Sequence, residues 1–123
     1  MSYSLIFTEK PEYLLCITDG KVSDTDSFIE WAMIAMARAE ELGYARVLFD
    51  NRTFKLDLTP FEVISFAKHL EDMGAAKLGF RMAVVSCPEN LETSHIVETA
   101  LVNRSGTYKS FRNQKEAKEW LLK

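Results

Sequence analysis

The chain has 123 residues, 47% of them hydrophobic and 27% charged, with only 5 Gly and 3 Pro. That balance suits one folded domain, residues 1–123, and carries too much apolar content for a disordered chain. With a net charge of -3 and Lys and Arg scattered, there is no basic footprint for nucleic acid, and no apolar run approaches the ~20 residues of a membrane span.

Leu5 to Thr8 and Tyr13 to Thr18 predict two strands, and the short polar break Glu9-Lys10-Pro11-Glu12 predicts that they form an antiparallel hairpin. Asp19-Gly20 marks a turn or bulge after them. A first helix is expected from Asp24 to Leu42, with cap oxygens and negative charge from Ser23, Asp24 and Asp26, and with Gly43 as its left-handed stop. Phe28, Ala32, Ala35, Ala39 and Leu42 share its core face. Ala45 to Phe49 is then a continuous apolar run ending in Asp50, the pattern of a buried parallel strand.

Thr59, Pro60 and Glu62 predict the start of a second helix with a capping box. Its buried stripe is Val63, Phe66, Ala67 and Leu70, and Gly74 ends it. Phe80 to Ser86 reads as a strand. Leu91 to Asn103 reads as a third helix, with Ile96, Val97, Ala100 and Leu101 turned inward. A short strand follows at Thr107 to Phe111, and Asn113 with Glu116 opens a final helix whose Ala117, Trp120 and Leu121 face the core. The order β-β-α-β-α-β-α-β-α predicts an α/β fold, a mixed and mostly parallel sheet with four helices and an N-terminal hairpin.

The residues carry no catalytic signature. Phosphate-cradling loops need glycines between strand and helix, and neither predicted junction, Asp50–Thr59 nor Ser86–Asn90, contains one. His69 and His95 fall on polar helix faces by phase, away from any cleft where a base would meet its nucleophile. Cys16 and Cys87 lie far apart in apolar segments and read as small buried hydrophobes, with Cys87 the first residue of the third helix if Ser86 is its cap. No close pair or His cluster suggests a metal, and no cofactor is expected. The first ten residues lack the pattern of a secretory signal, which makes the cytoplasm the expected compartment.

One feature exceeds what a core requires. On the first helix the apolar arc extends past its stripe to Ile29, Met33 and Met36, with Trp31 and Ile34 on the other flank. A helix lying on a sheet needs an arc of roughly 100°, and this one is about twice as wide. Neighbouring elements cover the excess, or it forms a surface for self-association, a protein partner or a greasy ligand; methionine suits such surfaces.

The element order, the opening hairpin, Val47-Leu-Phe-Asp50, Phe80-Arg-Met-Ala-Val-Val and the tail Phe111-Arg-Asn-Gln-Lys-Glu-Ala-Lys-Glu-Trp-Leu-Leu122 give the whole chain a resemblance to a known family. It resembles the STAS domains of the anti-sigma-factor antagonist (SpoIIAA-like) type, and more closely their small stand-alone bacterial relatives. The resemblance implies a non-enzymatic interaction or regulatory module working through contact with a protein partner or with a second copy of itself as a homodimer. In the better-known members a serine within Asp-Ser-Ser-Gly, at the start of the second helix, is phosphorylated. Here the matching stretch is Asp57-Leu58-Thr59-Pro60: Leu58 stands in the serine's place and only Thr59 keeps a hydroxyl. Similarity to the CRAL-TRIO lipid carriers implies a second class, a small carrier for an apolar ligand. The candidate contact residues are Ile29, Met33, Met36, Asp57 and Thr59.

Overall fold

Alternation of side chains along the strands builds two cores, one on each face of a single sheet. In the computed structural model, which describes residues 2–123, β1 (Tyr3–Glu9) and β2 (Leu14–Val22) form the antiparallel hairpin. β3 (Arg46–Leu56), β4 (Arg81–Ser86) and β5 (Thr107–Phe111) add in parallel, in the spatial order β1-β2-β3-β4-β5. Leu14, Cys16, Val47, Phe49 and Val84 point to the larger core, beneath α1 (Thr25–Leu42), α2 (Pro60–Asp72) and α3 (Leu91–Val102). Their neighbours Tyr13, Leu15, Leu48, Ala83 and Val85 point the other way and meet Ala117 and Leu121 of α4 (Gln114–Leu121). Successive parallel strands joined by crossovers of one hand place all three connecting helices on the same face, and the last helix is left to close the other.

The helix starts are set by local chemistry. Asp24 caps α1, its carboxylate accepting from the Ser27 amide at 2.7 Å, and Gly43 ends the helix at φ 81°. Thr59 and Glu62 exchange two hydrogen bonds, Oγ1 accepting from the Glu62 amide at 3.2 Å and Oε1 accepting from the Thr59 amide at 2.9 Å. Asn113 caps α4 through the Glu116 amide at 2.9 Å.

Four expectations are corrected. β2 does not turn at Asp19-Gly20 but runs on to Val22; the bulge falls in β3, where Ile17 pairs with Asp50 and Asp19 already with Thr53. β3 does not end at Asp50, because its polar half finds β2 residues 19–22 to pair with, so the junction before α2 shrinks to Asp57–Thr59. Ser86 ends β4 with its hydroxyl 2.7 Å from that of Ser94, and does not cap a helix. Cys87 is half-buried and precedes a 3-10 turn, Pro88–Asn90, without capping it. Asn90 explains the extra turn: its amide nitrogen donates to the Phe54 carbonyl and its oxygen accepts from the Leu56 amide at 3.2 Å, tying the turn to the end of β3. Cys16 is fully buried, and burial pushes its thiol pKa up to about 12.

Gly20 is dictated by close approach. Its φ is 124°, and a Cβ there would lie 2.3 Å from the Ser2 carbonyl oxygen and 2.5 Å from the Tyr3 Cα. Gly20→Ala should therefore destabilise the fold by about 2–3 kcal/mol, through backbone strain and a splayed hairpin. Urea unfolding checks this, with a lowered midpoint at unchanged slope as the expected result.

Candidate functional site

The corner where β3 hands over to α2 is the one the sequence singled out. The Asp57 amide donates to the Val22 carbonyl at 2.9 Å, fixing the end of the sheet. The Asp57 carboxylate meets Lys21 Nζ at 3.5 Å, both well exposed, a pair worth about 0–1 kcal/mol. Leu58 is half-buried against the core, and Thr59 is exposed with its hydroxyl engaged as the helix cap. Thr25 Oγ1 donates to the Glu62 carbonyl at 3.2 Å and so ties the first turn of α1 to that of α2.

Most of the broad apolar arc of α1 is used inside the molecule. Trp31 is 4% exposed; its ring lies against Phe28, Phe49 and Phe54 with centroids 4.9–5.4 Å apart, and its Nε1 donates to Thr18 Oγ1 at 3.0 Å. Ile29 and Met36 are half-buried and packed on the core, and Ile34 is also half-buried. Only Met33, at 42%, stands out. The structure thus separates the five candidates. Ile29 and Met36 are half-buried against the core, Met33 is exposed on α1, and Asp57 and Thr59 are at the corner.

Phe61 was missed, and it is the most exposed large apolar residue at 77%, in the first turn of α2 directly after the cap. Ile64, one turn on, is 48% exposed and borders a shallow groove shared with His95 and Ile96 of α3. Both fall out of phase with the buried stripe Val63, Phe66, Ala67 and Leu70, which is the sequence signal that finds them. His69 and His95 are exposed. No helix of the described residues is long and apolar enough to cross a membrane.

Two further polar features belong to the sheet and the helical layer. Asp50 is gripped by Arg52 in a two-point pair, Nε to Oδ1 2.8 Å and Nη2 to Oδ2 2.7 Å, at the bulge of β3. These hydrogen bonds hold the Asp50 carboxyl below its ordinary pKa, against the opposing effect of burial. Tyr108 on β5 is buried against the helices; burial first, and then the charge of Glu98, raise its pKa.

No protein-family model matches the chain, and no curated protein matches it. Among solved structures it is similar to an uncharacterized protein of the DUF3478 family with a SpoIIAA-like fold, from Shewanella loihica PV-4. The two share 17% identity, 98% of this chain and 94% of that one are covered, and the TM-score is 0.55. At this identity the likeness shows the fold: the chain has an α/β, SpoIIAA-like fold. The corner before α2 reads Asp57-Leu58-Thr59, without a serine.

The Asp50–Arg52 pair sets a pH dependence. A carboxyl whose folded pKa lies below its unfolded value adds stability above the unfolded value, ~3.9, and loses it as pH falls through the folded value. Arg52→Met should raise the Asp50 pKa and destabilise the protein at neutral pH, with the difference from wild type vanishing in strong acid. Carboxyl NMR titration together with urea unfolding at several pH values checks both signs.

Proposed function

We propose that this protein is a non-catalytic STAS-like module that works through protein contact, on the outer side of α1 and α2 around the Asp57–Thr59 corner. The observation that carries this reading is Phe61, 77% exposed beside the capping box. A large aromatic ring left in water on a rigid, capped helix start is the kind of anchor that interfaces use. Met33 on α1 and Ile64 on the α3 side of α2 are further exposed apolar residues, while Ile29 and Met36 are half-buried and packed on the core. Asp57 and Lys21 supply a charged rim. With Leu58 in place of a serine, the contact is constitutive and not gated by phosphate at that position.

The partner tested first is a second copy of the chain. Sedimentation velocity of the wild type should show concentration-dependent dimers, and Phe61→Glu with Met33→Lys should weaken them about tenfold or more, as expected when anchor residues are lost. The melting temperature should stay near that of wild type, because surface changes of this kind move stability by only about 0.5 kcal/mol. Variants that dimerise like wild type would remove this surface from the proposal, and a wild type that stays monomeric at high concentration would remove the homodimer.

A further inference from the structure

A cavity of about 220 Å³ lies between the sheet and the layer of α1, α2 and α3. Phe66 and Leu70 of α2, Leu101 of α3, Phe80 before β4 and Tyr108 of β5 form its walls. It exists because α1 and α2 turn small side chains, Ala32 and Ala67, toward this space. The 3-10 turn Ala75–Leu78 borders it; this turn contributes no buried residue and stands between two left-handed glycines, Gly74 at φ 75° and Gly79 at φ 73°.

The cavity has one built polar end. Arg104, just past α3, lines it and is half-buried, with 25% of its side chain exposed. One guanidinium nitrogen donates to the Ala100 carbonyl at 3.0 Å. Its Nε–H is buried and has no hydrogen-bond acceptor among the described residues; the nearest carboxylate, Glu71 Oε1, is 3.8 Å away on a side chain 51% exposed. A buried guanidinium N–H without an acceptor is costly, and a carboxylate is the group whose geometry matches it best.

We propose that this cavity binds a small monocarboxylic acid, its apolar body among Phe66, Leu70, Leu101 and Tyr108 and its carboxylate on Arg104. Size selects the class. A dry cavity of ~150 Å³ accepts benzene, so this one takes a body of roughly seven to nine heavy atoms. Pockets for larger ligands begin at ~300 Å³, which rules out a two-chain lipid and narrows the carrier expectation to a short-chain or small aromatic acid. Glu71 swings into solvent as the ligand carboxylate takes its place. The cavity opens near the C-terminal end of α2 and Phe61 stands at its start, so acid binding and self-association are lost by different substitutions.

Octanoate is the probe, with 1-octanol as its uncharged counterpart, titrated into ¹⁵N-labelled protein and followed by amide shifts. Saturable octanoate binding is expected, with shifts centred on residues 67–76 and 101–108, and octanol binding about tenfold weaker for want of the charge-assisted pair. Arg104→Gln should erase that preference. Ala67→Leu should abolish binding of both, and Ala76→Trp, on the exposed turn, should do the same without entering the core. Absent saturable binding, shifts located elsewhere, equal affinity for acid and alcohol, or binding that survives Ala76→Trp would each overturn the proposal.

Discussion

The hydrogen bond from Trp31 to Thr18, inside the aromatic cluster of Phe28, Phe49, Phe54 and Phe66, anchors α1 on the sheet and through it the rest of the helical layer. Thr18 is fully buried on β2, opposite the bulge of β3, and its hydroxyl gives the indole N–H the partner that it needs to leave water. Phe28, one turn earlier, stacks on Phe66 of α2 with centroids 4.0 Å apart, so the placement of α1 sets that of α2. Truncating a buried Trp costs about 3–5 kcal/mol, against about 0–1 kcal/mol for an exposed pair such as Lys21–Asp57. Packing, not surface charge, decides where the helices lie.

Two consequences for function follow from that placement. With Trp31, Ile29 and Met36 drawn inward, the free apolar surface moves to Met33 on α1 and to Phe61 and Ile64 on α2. The same aromatic cluster holds the two helices above the sheet while Ala32 and Ala67 leave space below them, and that space is the cavity closed at one end by Arg104. One set of contacts thus produces both the outer apolar surface and the inner cavity, at opposite ends of α2.

Much of the fold was legible because it is written in local rules. The Thr59-Pro60-x-Glu62 start, the Gly43 stop and the strand Thr107–Phe111 needed no tertiary information. β3 was read too short because its outer half, Asn51 to Lys55, is polar and interrupted by a bulge; only the pairing partner β2 makes it a strand. The breadth of the α1 arc was visible, but whether it was core or surface depended on Thr18, thirteen residues away in sequence and in another element. At the corner, Leu58 stands in plain view in the sequence, whereas Phe61 could be found only from its phase. The unmatched Arg104 Nε–H and the cavity beside it arise from three helices and three strands, and no spacing in the sequence announces them.

The central claim is that Trp31 belongs to the core and not to a surface. Trp120→Phe leaves Trp31 as the single indole, and its fluorescence reads its surroundings directly. Emission shifted to the blue and resistant to acrylamide quenching is the predicted result. Red-shifted emission that acrylamide quenches readily in the folded protein would contradict the account, because it would return Trp31, and the arc of α1 with it, to the surface.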